Sequence, residues 1–410
     1  MSDSKPAGWP ANIRPEKTQD WDAFKESDTE AGIQVNDDFE RFEQRNDMFC
    51  RSQWDEKIAT KAAMEFWRGH RKPNFRKGDG FRQRDFALRN ASWVMASSIM
   101  ERGFSEGIRE GFTDDIKQFH PPDSNKVKIE SVEDMTREIK QVAKYFGADL
   151  VGITEYDERW VYTSKFNVRT KEESPVVLPE GLTSVIMVGH AMEYDIIKSM
   201  PSALASTAVG KGYSTEAAIV MHIAQYIRNL GYEAVGSMND TSLTIPQAIK
   251  AGLGEYGRHN MLITRDFGPR VRISKIFTDM PLYHDKPIKF GVTEFCEECR
   301  RCYEACPVDA ITGGPPTNSG HNKSNVDGVE KWTTNCEKCF GYWTALRTDC
   351  AICMRVCPYN KNFSKWYMRA ARWLAGTALR KLMLWLDIRL GYGERDTPQK
   401  WWSGDYQKLK

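Results

Sequence analysis

Nine of the ten cysteines in this 410-residue chain lie in one stretch, between Cys296 and Cys357. Disulfides that stabilise a small scaffold are spread along a chain, because they connect distant loops. Cysteines separated by only two or three residues instead indicate thiolate ligands of a metal centre. We therefore expect this stretch to fold around metal, whereas Cys50, which stands apart, is expected to be an ordinary thiol.

The spacing of these cysteines indicates which kind of centre they hold. Residues 296–307 have the pattern C-x₂-C-x₂-C-x₃-C-P, which binds 4Fe–4S clusters in bacterial ferredoxins. Residues 350–358 have the pattern C-x₂-C-x₃-C-P, and the cysteine that this run lacks must be Cys339 or Cys336, eleven and fourteen residues upstream of Cys350. Zinc also binds four cysteines at such spacing, but a full run followed by a shortened one favours two 4Fe–4S clusters.

The order of the cysteines predicts how they divide between the two clusters. In two-cluster ferredoxins the fourth cysteine of each run binds the other cluster. One predicted ligand set is therefore Cys296, Cys299, Cys302 and Cys357, and the other is Cys306, Cys350 and Cys353 with one of the two upstream cysteines. Two clusters connected in this way lie close together, as electron transfer requires.

Composition excludes several other classes of protein. Lys and Arg number 58 against 56 Asp and Glu, for a net charge of +2, which gives no support for a nucleic-acid partner. The 40% hydrophobic and 28% charged residues are typical of a globular protein. No uncharged apolar run long enough for a membrane-spanning helix is encoded, and the first residues lack the pattern of a secretory signal.

Helix and strand patterns alternate ahead of the cysteines. Ser131 is predicted to cap a helix that ends near Phe146, and Ser214 to cap one that ends near Leu230. The predicted strands are 149–154, 184–188, 232–236, 260–264 and 271–278. This alternation predicts an α+β or α/β core. The chain then divides into a helical and irregular N-terminal region (1–130), the core (131–288), a two-cluster ferredoxin-like domain (289–362) and a helical tail (363–410).

Two further segments carry patterns with more than one interpretation. Residues 252–257 match G-x-G-x-x-G, but no strand precedes them and no helix follows, so we reject a dinucleotide site and expect a loop that a flat group approaches closely. Residues 366–393 are a candidate helix that combines Trp and Leu with basic residues. We expect its apolar stripe to pack on the core, with contact to a membrane or a membrane-bound partner as the alternative.

The core, the two cysteine runs and the segments GEYGRHNMLIT (254–264) and FGPRVRI (267–273) together resemble the corrinoid-dependent reductive dehalogenases, from about Phe39 to the tail. The resemblance implies a nitroreductase-like α/β core that binds base-off cobalamin, in which Gly254, Gly257, His259 and Asn260 are the cofactor-binding candidates. It also favours Cys339 over Cys336 as a cluster ligand.

The resemblance implies a respiratory enzyme that replaces halogen by hydrogen in a small organohalide. The pattern is closest to the branch that acts on chlorinated alkanes such as chloroform or chloroethanes. Family members lie on the extracytoplasmic face of the cytoplasmic membrane, so the implied partners are a small membrane anchor protein and an electron donor. A homodimer is compatible with the family.

The family's catalytic pattern is a Tyr, an Asn 26 residues later and an Arg 33 residues further on, which matches Tyr213, Asn239 and Arg272. We expect all three in loops or at strand ends. A guanidinium near a tyrosine favours the phenolate, so Arg272 would ease proton release from Tyr213 with Asn239 as a hydrogen-bond donor. The substrate pocket should be apolar and aromatic, and its candidates are Phe39, Phe42, Trp93, Tyr342 and Trp343.

Three other functions remain open from the sequence. Epoxyqueuosine reductase, a tRNA-modifying enzyme, also combines a corrinoid with two clusters, but it has a carboxylate where this chain has Tyr213. A non-catalytic iron–sulfur electron carrier would leave the 290 residues before the clusters unexplained. A corrinoid-binding or sensing protein without turnover would be indifferent to the substitution Tyr213→Phe, whereas an enzyme that uses Tyr213 as an acid would not.

Overall fold

The computed structural model describes residues 18–105 and 121–404. Parts of the predicted N-terminal region (1–17 and 106–120) and the end of the tail (405–410) lie outside the described residues. The helices are α1 (Lys25–Ala31), α2 (Met48–Trp54), α3 (Lys61–Arg68), α4 (Gln83–Ser92), α5 (Val94–Ser105), α6 (Val132–Tyr145), α7 (Tyr194–Ile197), α8 (Ala203–Asn229), α9 (Thr244–Lys250), α10 (Val292–Glu298), α11 (Arg301–Glu304), α12 (Cys336–Leu346), α13 (Ile352–Val356), α14 (Trp366–Ala375), α15 (Arg380–Arg389) and α16 (Pro398–Trp402).

The strands form one principal sheet and two small hairpins. They are β1 (Leu150–Glu155), β2 (Ser164–Phe166), β3 (Glu173–Pro175), β4 (Ser184–Ala191), β5 (Ala234–Ser237), β6 (Gly254–Tyr256), β7 (Leu262–Thr264) and β8 (Val271–Thr278). The principal sheet has the order β1-β4-β8-β5 with antiparallel neighbours, while β2–β3 and β6–β7 are hairpins. The mixed helix-and-sheet architecture agrees with the predicted fold class.

The principal sheet is buried on both faces, because its strands alternate apolar side chains between two cores. On β4, Ile186 and Val188 face a core built with α6 and α8. Val185 and Met187, on the opposite face, pack with residues of α9. The sheet is therefore the middle layer between α8 on one side and α9 on the other, and the candidate catalytic residues lie at the boundary of α8 with this sheet.

Several predicted elements have different bounds in the structure. Ser131 caps α6 as expected, since its hydroxyl accepts a hydrogen bond from the Asp134 amide at 3.1 Å. Helix α8, however, begins at Ala203 under a Ser202 cap, and Ser214 lies inside it, donating a hydrogen bond to the Ser92 carbonyl at 2.6 Å. The small residues at 203–212 have no clear apolar stripe, which is why the sequence prediction missed this first part of the helix.

The strand predicted at 260–264 also begins later than expected. Asn260 has a φ of +66°, a left-handed backbone conformation that belongs to a turn rather than to a strand. Gly254 in turn lies in strand β6 and not in a loop, because residues 254–264 form the β6–β7 hairpin.

The tail differs most from its prediction. It forms two helices, α14 and α15, interrupted near Gly376, where the backbones of residues 376 and 290 are in close contact. Trp366, Trp373 and Trp385 are 73%, 70% and 58% exposed. The expectation that the apolar stripe packs on the core is wrong for these side chains, whereas Ala375, Met383 and Leu384 do pack inward.

Within the described ranges, 18–105 and 121–404, none of the helices has both the length and the apolar character needed to span a bilayer. The domain boundaries drawn from the sequence stay a prediction.

Candidate active site and iron–sulfur centres

The structure brings Tyr213, Asn239 and Arg272 into direct contact. Arg272 Nη2 donates a hydrogen bond to Asn239 Oδ1 at 2.8 Å, and Asn239 Nδ2 donates to the Tyr213 hydroxyl. The Arg272 guanidinium also lies 3.8 Å from the centroid of the Tyr213 ring, within the range of a cation–π interaction. Asn239 follows β5 and Arg272 is on β8, as expected, but Tyr213 lies in the middle of α8, so its predicted loop position is wrong.

Two glycines of α8 make this contact possible. A Cβ on Gly212 would lie 2.5 Å from Arg272 Cγ, and one on Gly210 would lie 2.5 Å from Trp93 Cδ1. A glycine inside a helix costs about 1 kcal/mol relative to alanine. The two glycines on either side of Lys211 therefore give up helix stability and leave space for the two side chains that contact Tyr213.

The environment of Tyr213 combines opposing effects on its acidity. Burial raises the pKa of the phenol, whereas Arg272 and the hydrogen bond from Asn239 lower it. Burial disfavours the charged phenolate, and a neighbouring cation and a hydrogen-bond donor favour it. The arrangement can therefore hold a neutral tyrosine at rest and stabilise the phenolate that forms when the proton leaves.

Of the predicted pocket residues, Trp93 contacts Tyr213. Their rings stack with centroids 4.7 Å apart, and His70 meets Trp93 edge-on at 5.5 Å. Trp343 packs in the neighbouring aromatic cluster, 6.4 Å from Phe66, which in turn lies 5.4 Å from His70. An apolar, aromatic wall thus extends from Tyr213 towards Trp343.

The other predicted pocket residues lie elsewhere. Phe39 packs in a separate core against Trp160, and Phe42 packs against Tyr162 with centroids 5.6 Å apart. Burial raises the pKa of the Tyr342 phenol, and Cys350 and Cys306 raise it further. Tyr342 therefore lies near these two cysteines. The structure therefore does not group these three with Tyr213.

The cysteines of each predicted ligand set lie near one another, while their division between the two clusters stays a prediction. Cys296, Cys299 and Cys302 all act electrostatically on Cys357. Beyond burial, Cys339, Cys350 and Cys302 raise the pKa of the Cys353 thiol, and Cys306 raises that of Cys350. Cys302 also packs with Cys306 and Cys353, so the two sets are adjacent, as a pathway for electrons requires.

Between the two upstream cysteines, it is Cys339 that faces the second set. Cys350 and Cys306 both raise the pKa of the Cys339 thiol. The Cys336 thiol instead donates to the Thr334 carbonyl at 3.4 Å and accepts from Asn325 at 3.8 Å. The two residues lie three apart on α12, and Cys336 also raises the pKa of Cys339, so the choice of Cys339 as ligand stays a prediction.

The buried thiols of the first run need a positive counter-charge when they ionise. Among the residues that the structure describes, no group of three or more His, Cys, Asp or Glu side chains is arranged to hold one ion. A zinc site would need its thiolates about 2.3 Å from one centre, whereas a 4Fe–4S cluster separates its ligands around a larger body. Burial raises the pKa of the Cys296 and Cys302 thiols to about 12, so stable thiolates here require positive charge, which iron would supply.

The β6–β7 hairpin lies against the first cysteine set. Arg258 Nε donates to the Cys296 carbonyl at 2.9 Å, and its Nη1 donates to Gly314 O at 2.7 Å. The guanidinium is 2% exposed and lowers the pKa of both the Cys296 and Cys302 thiols. Sequence analysis gave Arg258 no function, although Gly257 and His259, its neighbours in the chain, were both cofactor candidates.

The four cofactor candidates in this hairpin have different environments. Asn260 accepts a hydrogen bond from the Tyr256 hydroxyl, and a Cβ on Gly254 or Gly257 would collide with Ile263. The close approach expected at these glycines is thus made by the hairpin itself. His259 is 5% exposed, and neither of its ring nitrogens has a hydrogen-bond partner within the described residues. Burial lowers the pKa of His259 to about 4, so the imidazole is neutral and fits a polar group of a bound cofactor.

A second functional candidate that sequence analysis missed is Glu216. It lies on α8 three residues after Tyr213 and is completely buried beside Arg272. Had α8 been extended through Tyr213, the helical spacing would have placed both side chains on one face.

The comparisons with known proteins agree with this arrangement. Residues 295–360 match the family described as 4Fe-4S double cluster binding domain. The tetrachloroethene reductive dehalogenase of Sulfurospirillum multivorans is 36% identical over 311 residues, which is 69% of this chain and 61% of that protein. An epoxyqueuosine reductase of Leadbetterella byssophila is 28% identical over 267 residues, 56% of this chain and 81% of that protein.

A solved structure of a reductive dehalogenase, reported with a mechanism for B12-dependent dehalogenation, has the same fold. It superposes with a TM-score of 0.70 at 22% identity and covers 90% of this chain and 49% of that one. The fold and the cysteine sets define a protein with an α and β core and a C-terminal double-cluster domain. In sequence and fold the chain is related to the reductive dehalogenases, so the resemblance predicted from its sequence is confirmed. It spans about three fifths of the length of the Sulfurospirillum relative.

Proposed function

We propose that this protein is a respiratory reductive dehalogenase. It replaces the halogen of a small organohalide by hydrogen: two electrons and one proton enter, the carbon–halogen bond breaks, a carbon–hydrogen bond forms and halide leaves. The observation that carries the proposal is the contact of Tyr213 with Asn239 and Arg272, because it provides a buried proton donor whose conjugate base is stabilised.

The proposed cofactors are cobalamin and two 4Fe–4S clusters. When bound, cobalamin would supply a low-valent cobalt centre that reacts with carbon–halogen bonds, and the clusters would supply its electrons. Cys296, Cys299, Cys302 and Cys357 would hold one cluster, and Cys306, Cys339, Cys350 and Cys353 the other. His259, beside the first set, offers a buried polar group to the corrinoid.

In this proposal Tyr213 gives its proton to the carbon that loses halogen. A free tyrosine has a pKa of about 10 and is a weak acid near neutrality. Arg272 over the ring and Asn239 on the hydroxyl both stabilise the phenolate, and a fixed donor of this kind contributes most when charge develops during reaction. Trp93, stacked on the ring, holds the phenol in place and keeps water away from it.

We propose a small chlorinated alkane, such as chloroform or a chloroethane, as substrate. The aromatic wall of Trp93 and its neighbours suits an apolar molecule. Chlorinated ethenes, as in the name of the Sulfurospirillum relative, form the competing class.

We further propose that the protein works at the extracytoplasmic face of the cytoplasmic membrane, with a small membrane anchor protein and an electron donor. The exposed tail supports this proposal. Trp366, Trp373 and Trp385 are exposed beside exposed Lys365 and Lys381, a combination that suits a membrane interface or a protein embedded in one. Replacing the three tryptophans by serine should release the protein from membranes if this surface is used.

The proposal is tested on anaerobically purified protein reconstituted with cobalamin. Iron, cobalt and sulfide content come first, followed by halide release from chloroform, chloroethanes, chlorinated ethenes and bromophenols. Tyr213→Phe should retain the metals and lose at least a hundredfold in kcat/KM, as expected for loss of a general acid. Iron without bound cobalt would instead indicate an electron carrier, and reduction of epoxyqueuosine in tRNA without halide release would indicate the tRNA-modifying enzyme.

A further inference from the structure

Glu216 is a buried carboxyl group to which the proposed reaction gives no role. Tyr213 and Glu216 project from the same face of α8, because they are three residues apart. The exposed fraction of Glu216 is 0%, and neither carboxyl oxygen has a hydrogen-bond partner in residues 18–105 and 121–404. A buried polar group without a partner costs free energy, so its presence next to a candidate active site calls for a functional reason.

The charged groups around Glu216 come from the strand packed against its helix. Arg272 Nε lies 3.9 Å from Glu216 Oε2, while other atoms of Arg272 engage Asn239 and the Tyr213 ring. Lys275, three residues further along β8, also lowers the pKa of Glu216, but its ammonium donates to the Met238 carbonyl and to Thr244 Oγ1, both at 2.8 Å. Arg272 is therefore the group through which Glu216 contacts the catalytic candidates.

The protonation of Glu216 and of Tyr213 is coupled through these contacts. Burial raises the pKa of Glu216 to about 8, against the opposite effects of Arg272 and Lys275. When ionised, Glu216 raises the pKa of Tyr213, whereas Arg272 lowers it. Asp349, which precedes the second cysteine run, also raises the pKa of Tyr213. Arg89 of α4 in turn lowers the pKa of Asp349.

We propose that Glu216 is a positioning residue whose protonation state sets how strongly Arg272 stabilises the phenolate of Tyr213. Neutral Glu216 leaves the guanidinium charge to act on Tyr213 and Asn239. Ionised Glu216 pairs with Arg272 Nε and adds a negative charge beside the phenolate, and both changes oppose proton release. This inference rests on the proposed function, because it assigns Glu216 to the same acid, and it predicts that activity falls in alkaline solution.

The first test compares the pH profile of kcat/KM for the holoenzyme and for Glu216→Gln, which keeps the shape and removes the charge. The wild-type rate should fall above pH 8, and the variant should keep its rate for at least one further pH unit. Glu158→Gln is the matched control: Glu158 is 3% exposed but holds the N-terminal segment through Thr18 and Trp21. The alkaline limb of the pH profile of Glu158→Gln should coincide with that of wild type. An unchanged alkaline limb in Glu216→Gln would overturn the proposal.

The second test does not depend on turnover. 3-Fluorotyrosine placed at position 213 reports the ionisation of this phenol by fluorine NMR. Its pKa should fall by about one unit in the Glu216→Gln background, since the negative charge of the Glu216 carboxylate no longer opposes the phenolate. An unchanged pKa would overturn the inference whatever the activity. A lower pKa in a protein that dehalogenates nothing would leave the coupling standing and refute the proposed function.

Discussion

Gly212 and Arg272 pack so closely that any side chain at position 212 would have to displace Arg272. A Cβ there would lie 2.5 Å from Arg272 Cγ and 3.4 Å from its Cδ. The glycine precedes Tyr213 in α8, so the backbone that carries the proposed acid also shapes the space for the cation that acts on it. This link between helix and strand determines whether Arg272 can reach over the phenol ring.

Gly212→Ala should therefore impair catalysis while the helix itself gains stability. The added methyl must displace the Arg272 stem, and a 1 Å error in a catalytic group can cost about a hundredfold in rate. Against this, alanine favours the helix by about 1 kcal/mol over glycine. We expect kcat/KM to fall by at least tenfold with bound iron and cobalt unchanged. Gly341→Ala, in α12 with no atom within 4 Å of the new Cβ, is the control and should leave the rate unaltered.

The sequence predicted the two cysteine sets because ferredoxin runs are local patterns, in which spacing alone determines which side chains can reach one cluster. It could not place Tyr213 in a helix, since the small residues that follow the Ser202 cap carry no clear apolar stripe. That missing helix also concealed Glu216. The exposure of Trp373 was equally hidden, because an amphipathic pattern is the same whether its apolar face meets the core or remains open.

Glu216→Gln should stabilise the protein, and increasingly so as pH rises. The folded state keeps Glu216 protonated up to about pH 8, whereas the unfolded chain ionises near 4.5. Between these values the unfolded state binds fewer protons, so the stability of the wild type falls with rising pH. The difference should grow by at most about 1.4 kcal/mol per pH unit, measured by urea unfolding at pH 5, 6.5 and 8.

Glu158 provides the opposite case for that measurement. The hydrogen bonds from Thr18, Gln19 and Trp21 lower the pKa of its carboxyl although burial raises it. Its contribution to stability is therefore present above the unfolded pKa and lost as pH falls through the folded value. Glu158→Gln should destabilise the protein at pH 7 and approach wild type in acid. If both variants shifted stability in the same direction with pH, the assignment of Glu216 as a neutral acid would be wrong.

Arg159 should be essential for the packing of the N-terminal segment on the core. Its Nη1 lies 2.7 Å from Asp28 Oδ2 and its Nη2 lies 2.6 Å from Asp157 Oδ2, with all three side chains almost fully buried. Without Arg159, Lys250, at 2.7 Å from Asp28 and 3.4 Å from Asp157, would face both buried carboxylates, and breaking such a network costs about 3–5 kcal/mol. Arg159→Met should lower the free energy of unfolding by that order. Lys128→Met, at an exposed surface pair, should change it by less than about 1 kcal/mol.

Arg258 should raise the reduction potential of the first cluster. Its guanidinium is buried next to the Cys296 and Cys302 thiols and favours negative charge there. A reduced cluster carries one more negative charge than an oxidised one, so loss of the cation makes reduction harder. Arg258→Gln should lower the midpoint potential by tens of millivolts, about 59 mV for each 1.4 kcal/mol, in an EPR-monitored titration. A potential that stayed constant with intact clusters would contradict this.

Cys336 and Cys339 offer a direct test of the ligand assignment, because they occupy one short helix and differ in direction. Cys350 and Cys306 raise the pKa of the Cys339 thiol, whereas the Cys336 thiol donates a hydrogen bond to the Thr334 carbonyl. Cys339→Ser should lower iron from about eight per chain and alter the EPR signal of the second cluster. Cys336→Ser should keep the full iron content and the wild-type signal, since a serine hydroxyl can donate to the same carbonyl. Loss of iron in Cys336→Ser with retention in Cys339→Ser would reverse the assignment of the fourth ligand.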